Sequence, residues 1–198
     1  LVPPKKNKIL IFDNNLYYKY KILDFIKKDH GILHPRFEVI NIFILIKILL
    51  KFRFSFFDYL QEYVDYVNPR LLITLNDNNS KFYKLNCKNG KKIFIQQGKR
   101  SEFEDVFSEL KNDTNKNKKY VDYMFTHNDN ISLLYKKYIS GKTISIGSME
   151  SNDIKVNKLN FYKKRILLIS DFYDMYSNPN KFFVGKKKFN YFLDKEKK

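Results

Sequence analysis

The chain has no tryptophan, no alanine, a single cysteine, and only 6 glycines and 5 prolines in 198 residues. One cysteine, Cys87, excludes an internal disulfide framework and a cysteine-based zinc site, and it fits a reducing compartment. So little Gly and Pro excludes collagen-like and linker-like chains. Nothing reaches the ~18 to 20 apolar residues of a membrane-spanning helix. The best stretch, Val39 to Leu50, is short and carries Lys47. No opening segment reads as a signal peptide, and a first residue of Leu fits a start further upstream.

Arginine is scarce too. Lys+Arg number 38 against 21 Asp+Glu, a net charge of +17, yet only 5 of the 38 are Arg. Lys, Asn, Ile, Phe and Tyr share A/T-rich codons, so an A/T-rich genome accounts for much of the excess. A phosphate-gripping protein is expected to use the planar, bidentate Arg fork. Nucleic acid is therefore disfavoured as a partner. Dispersed surface Lys is the plain reading; a basic face resting on an anionic membrane leaflet or an acidic glycan is the sharper one.

What is present is core material. With 43% hydrophobic residues, 19 Phe and 15 Tyr, the chain can bury one domain, or one domain and a fragment of a second. Wholesale disorder is excluded. Short apolar runs alternate with amphipathic ones. Lys8 to Phe12, Ile32 to His34, Leu71 to Leu75, Lys92 to Gln96, Val121 to Thr126, Thr143 to Ile146 and Arg165 to Ser170 read as strands. Helices are expected over Leu16 to Lys28, Asn41 to Lys51, Ser55 to Asn68, Ser80 to Asn86, Glu102 to Leu110, Asp129 to Tyr138 and Lys187 to Lys197. The Asn41 to Lys51 helix is apolar nearly all round and is expected to be buried. Lys111 to Lys119 is a polar loop. Continuous apolar strands alternating with helices predict a doubly wound, Rossmann-like α/β domain with a parallel sheet and helices on both faces.

In such a sheet ligands bind beyond the carboxyl ends of the strands. The turns there are Asp13-Asn14-Asn15, Asn76-Asp-Asn-Asn-Ser80, Gln96-Gln97-Gly98-Lys99-Arg100, His127-Asn128 and Gly147-Ser148. Amides, hydroxyls and carboxylates of this kind suit sugar hydroxyls, each of which needs a donor and an acceptor. The same residues are also good turn formers. No G-x-G-x-x-G, P-loop or G-x-S-x-G pattern is present, so dinucleotide, P-loop and hydrolase readings fall, and no cofactor is implied. His30 and His34 lack a helix and a third ligand, so no metal site is assigned. His127, after a strand, is a candidate general base, and Asp77, among amides and a hydroxyl, a second catalytic candidate.

Several short segments carry a resemblance by their order: Val67 to Thr74, Asp77-Asn78-Asn79 with Phe82-Tyr83, Ile95 to Arg100, Asp122 to Phe125, Gly147-Ser148 and Arg165 to Ser170. The succession resembles the N-terminal half of bacterial surface-carbohydrate biosynthesis proteins of the GT-B glycosyltransferase type, the Kdo-transferase-like ones nearest. It departs from them at Gln97, where Asn is usual, and at Asp171, where Gln is usual. The resemblance implies an acceptor-side Rossmann-like domain over 1–163, with 164–198 the start of a second domain or a strand-helix extension. Only 28 residues follow Ser170, and a βαβ unit needs about 30. The donor-binding half is therefore expected to be absent, and whether this chain alone is an enzyme stays open.

The implied function is transfer of a sugar from a nucleotide-activated donor to a glycan acceptor in surface polysaccharide biosynthesis, at the cytoplasmic face of the membrane. Asn78, Asn79, Gln96, Gln97, Gly98, Gly147 and Ser148 would bind substrate, and Lys99 and Arg100 would meet an acidic group. Asp174, with Asp171 as alternative, matches a carboxylate acting at the anomeric carbon. The rival reading is a noncatalytic module binding an anionic polymer, an acidic glycan or nucleic acid.

Overall fold

A computed structural model describes residues 1–13, 30–98, 100, 105–112 and 119–149, all inside the chain's first unit, Leu1–Lys155. They form strands β1 (Ile9–Phe12), β2 (His30–Leu33), β3 (Leu71–Thr74), β4 (Lys91–Ile95), β5 (Tyr120–Thr126) and β6 (Ser140–Ser145). Between them lie helices α1 (Ile42–Leu50), α2 (Phe56–Val67), α3 (Ser80–Lys84), α4 (Asp105–Asn112) and α5 (Asp129–Tyr138). All six strands are parallel, in the order β2-β1-β3-β4-β5-β6. This is a doubly wound α/β sheet, in the second of the two common strand orders. The order reverses at β1, whose neighbours are β2 and β3. Its carboxyl end therefore opens onto the switch point where such folds bind ligands.

Alternation sets the two faces of the sheet. Leu10, Phe12, Leu72, Phe94 and Met124 join one large core with residues of α1 to α5, and an irregularity in β5 between Tyr120 and Tyr123 lets Val121 join them. Ile11, Ile73 and Leu75 face the other way and pack with Met149. Aromatic rings knit the first core: Phe94 meets Tyr83 and Tyr135 edge-on at 6.1 and 4.9 Å, and Phe107 meets Tyr135 at 5.0 Å. Such tilted pairs add about 1 kcal/mol each beyond the area they bury.

The helix boundaries follow their caps. Asn41, Ser55 and Asn128 each accept a backbone N–H from the first turn of α1, α2 and α5, satisfying donors that would otherwise be orphaned. Asn68, in the left-handed region at φ 52°, ends α2 just before Pro69. β2 starts at His30, two residues before the expected Ile32. Gly31 permits this, since a Cβ there would meet the Asn7 amide at 2.5 Å. β6 likewise begins three residues early, at Ser140. The expected helices over 16–28 and 187–197, the strand over 165–170 and the proposed domain border at 163 lie outside the described residues.

α1 departs from expectation. Ile44 and Ile48 are buried, but Ile42, Ile46, Leu49 and Leu50 are exposed. A short helix packed on α2 has one inward stripe, and apolar residues on its other side stay in water. Beneath it Glu62, 4% exposed, accepts from Lys47 at 2.8 Å and Lys51 at 2.5 Å. Burial alone would raise the Glu62 pKa, but the two ammonium groups outweigh it and hold it below the usual value.

Lys92 is a cation buried in the main core. Its Nζ donates to the Tyr83 and Leu85 carbonyls at 3.0 and 2.5 Å and lies 5.4 Å from the Phe82 ring centroid. Burial still draws its pKa from 10.5 to about 7. The folded chain therefore releases this proton near pH 7, while the unfolded chain keeps it until pH 10.5. The cost of burying the charge is greatest below pH 7, shrinks as pH rises through that window, and is gone above it. Urea unfolding of the wild type relative to Lys92→Met is expected to gain stability from pH 7 to pH 10, on the order of a few kcal/mol. A flat difference across that range refutes the assignment.

Candidate functional site

The carboxyl ends of β1, β3, β4 and β5 carry two buried carboxylates, and each organises one part of the rim. Asp13 directly follows β1, in the left-handed region at φ 66°, with its side chain 1% exposed. The Asn76 amide, after β3, donates to Asp13 Oδ2 at 2.8 Å, and Arg36, after β2, reaches the same oxygen through Nε at 3.1 Å and Nη2 at 3.0 Å. Thr74 Oγ1 donates to the Phe12 carbonyl at 3.0 Å and accepts from the Asn76 N–H at 3.1 Å. The switch point is thus closed by polar bonds between three loops.

Asp77 organises the second part. Its side chain is 2% exposed. Arg100 grips it bidentately, with Nε to Oδ2 at 2.6 Å and Nη2 to Oδ1 at 2.5 Å, and the Tyr135 hydroxyl donates to Oδ2 at 2.6 Å. The Tyr83 hydroxyl donates to the Asp77 carbonyl at 2.9 Å. Burial, with the Asp77 charge close by, pushes both tyrosine pKa values well up, so each remains a neutral donor. Arg100 Nη2 also reaches the Asn78 side-chain oxygen at 2.5 Å.

Gln96, 1% exposed, is a brace. Its Oε1 accepts from the His127 N–H at 2.9 Å, and its Nε2 donates to the Gly98 carbonyl at 2.8 Å. The Nε2 of His127 is buried and without a hydrogen-bond partner among the described residues. Beyond it a chain of hydroxyls crosses the β5–β6 end. Thr126 lies 2.6 Å from Ser132, Ser132 lies 3.3 Å from Ser145, and Ser145 donates to Asp129. Gly147, at φ 77°, takes a left-handed turn that a side chain would strain, and sets Ser148 beside this edge.

The structure therefore brings Asp77, Asn78, Gln96, Gln97, Gly98, Arg100 and His127 to neighbouring loop ends of one rim, with Gly147 and Ser148 following β6 on the same side. Asn78 is exposed and Gln97 half-buried. Asn79 turns inward as the cap of α3, accepting from the Lys81 N–H at 3.1 Å. Lys99, Asp171 and Asp174 lie outside the described residues. Sequence named Asp13 and Asn76 only as parts of ligand-facing turns, and Arg36 and Tyr135 not at all. Asp13 had a signal, as a carboxylate directly after the first buried strand. Arg36 and Tyr135 reach the rim from distant elements, which no local pattern encodes. Among the described residues no three His, Cys, Asp or Glu side chains gather as a metal centre. A cavity of about 160 Å³ lined by Val64, Asp65, Pro69 and Cys87 lies at the amino ends of β3 and β4, away from this rim.

The Asp77 pair predicts a stability effect. Asp77→Ala strands a largely buried guanidinium and is expected to lower the unfolding free energy by about 3 kcal/mol in urea titration. Adding Arg100→Met should recover part of that loss, since no unpaired charge then remains. An additive double variant contradicts the pairing.

Residues 93–196, just over half of the chain, match the model of a protein family described as "putative O-antigen biosynthesis protein". No curated protein and no solved structure matches the chain. The matched span takes in the end of β4 and all of α4, β5, α5 and β6, and so the loops that carry Gln96, Arg100, His127 and Gly147. The chain belongs to this O-antigen biosynthesis family.

Proposed function

We propose that the chain is a glycosyltransferase, or its acceptor-binding half, and that the rim around Asp77 and Arg100 holds the glycan acceptor. Membership of an O-antigen biosynthesis family supports surface-polysaccharide chemistry. The observation that carries the finer reading is the density of amides, hydroxyls and one fixed Arg–carboxylate pair at the carboxyl ends of β3, β4 and β5. Sugar hydroxyls need such mixed donors and acceptors, held still before they bind.

Within that reading Asp77 is a positioning residue. It receives three donors, so its work is to fix the guanidinium plane of Arg100, which would face an acidic sugar or a phosphate together with Lys99. The exposed Asn78 and half-buried Gln97 would bond hydroxyls, with Gly98 keeping the backbone open and Gly147 and Ser148 bounding the far side. His127, with its unpartnered Nε2, is the candidate base toward an acceptor hydroxyl. The resemblance to Kdo-transferase-like proteins supports Asp174, or Asp171, as the carboxylate at the anomeric carbon. A nucleotide sugar would be the donor of the complete enzyme. A cytoplasmic setting is part of the same proposal.

The test is titration of the chain with oligosaccharide repeats of an acidic O-antigen, followed by calorimetry and amide shifts. Expected is binding that Asn78→Ala and Gln97→Ala each weaken about tenfold, with unfolding midpoints nearly unchanged. Raising salt from about 50 to about 200 mM should cost less than tenfold. A module for anionic polymers would instead lose roughly a thousandfold and ignore the rim variants. No binding, or that second pattern, overturns the glycan reading.

A further inference from the structure

We propose that the outward face of α1, with the loop after it, is a docking surface for an anionic lipid bilayer. This goes beyond the glycan reading and does not depend on it. On a helical wheel Ile42, Ile46, Leu49 and Leu50 share one arc of about 100°, opposite the buried Ile44 and Ile48. All four are exposed, Leu50 at 75%. Phe52 and Phe54 extend the patch at 84% and 74% exposure. No charged residue lies within the outward arc. No helix among the described residues is long and apolar enough to cross a membrane, so a surface of this kind rests on a bilayer rather than spanning it.

The backbone supplies an independent argument. The Phe52 N–H donates to the Leu49 carbonyl and the Arg53 N–H to that of Ile48, a Schellman ending with Phe52 at φ 54° in the left-handed position. That position favours Gly, and a bulky residue there is strained. Phe52 thus accepts strain and holds its ring in water, so neither local geometry nor core burial explains it. An apolar environment outside the chain does.

Charge chooses the occupant. The net charge is +17, which repels a second copy and attracts an anionic leaflet. Cations border the patch. Lys51 and Arg53 bracket Phe52 and are exposed, and Lys47 and Lys6 sit over the Tyr66 ring at 5.0 and 5.6 Å. Lys47 and Lys51 together exceed the single Glu62 carboxylate they share, leaving one positive charge beside the apolar arc.

The test is co-sedimentation of the full chain with vesicles of phosphatidylglycerol and phosphatidylcholine in equal parts, and with phosphatidylcholine alone. Expected is partition to the anionic vesicles at least about tenfold stronger than to the neutral ones, weakened by salt. Phe52→Gly should lower that partition about tenfold, while its urea midpoint stays equal or rises as the strain is relieved. Leu50→Asn should lower partition with little change in stability. Equal partition to both vesicles, or wild-type partition by Phe52→Gly, overturns the proposal. So does a dimer in sedimentation velocity that Phe52→Gly dissolves, since the patch would then join two copies. No sugar enters the assay, so its failure leaves the glycan reading standing, and failure of the glycan titration leaves this one standing.

Discussion

A carboxylate taken out of water has to be met by donors, or folding stops there. Asp77 is met three times, twice by the Arg100 fork and once by the Tyr135 hydroxyl. Those donors come from the loop after β4 and from α5, so one buried charge fixes the relative position of three chain segments distant in sequence. Asp13 does the same for the ends of β1, β2 and β3, through Arg36 and Asn76. At the carboxyl end of the sheet these two carboxylates tie the loops together above the apolar packing of Phe12, Leu33, Leu75 and Phe94. The polar groups there are consequently rigid before any ligand arrives, which is the condition under which hydroxyl recognition loses least entropy.

The sheet order explains why both carboxylates fall where they do. Because β1 is flanked by β2 and β3, the loops leaving these strands diverge and leave a gap. A gap over a parallel sheet exposes carbonyls and amides that must find partners. Thr74, Asn76 and Asp13 supply them at the switch point, and Gln96 repeats the device between β4 and β5. The residues that seal this backbone therefore brace the loops that carry the site.

Strand and helix positions were legible because their signal is local: continuous apolar runs such as Leu71 to Thr74, and caps such as Ser55 and Asn128. The rim was legible as a set of turns for the same reason. Its wiring was not. The Tyr135–Asp77 bond spans 58 positions and Asn76–Asp13 spans 63, and nothing in a turn sequence names a partner that far away. The exposure of α1 was not legible, for the opposite cause. Periodicity says how many faces of a helix are apolar, not how many the neighbouring layer can cover. The family match does not reach α1, which precedes residue 93.

An exposed aromatic ring follows the rim at consecutive residues. Arg36 reaches back from the end of β2 to Asp13, and the next residue, Phe37, turns outward at φ 65° and stacks on Phe56 with ring centroids 3.9 Å apart. Phe56 in turn lies under the Lys81 ammonium of α3, whose N-cap, Asn79, belongs to the Asp77 turn. The Phe37–Phe56 pair is thus one residue from the Arg36 that grips Asp13 and one cation–ring contact from the helix whose cap belongs to the Asp77 turn.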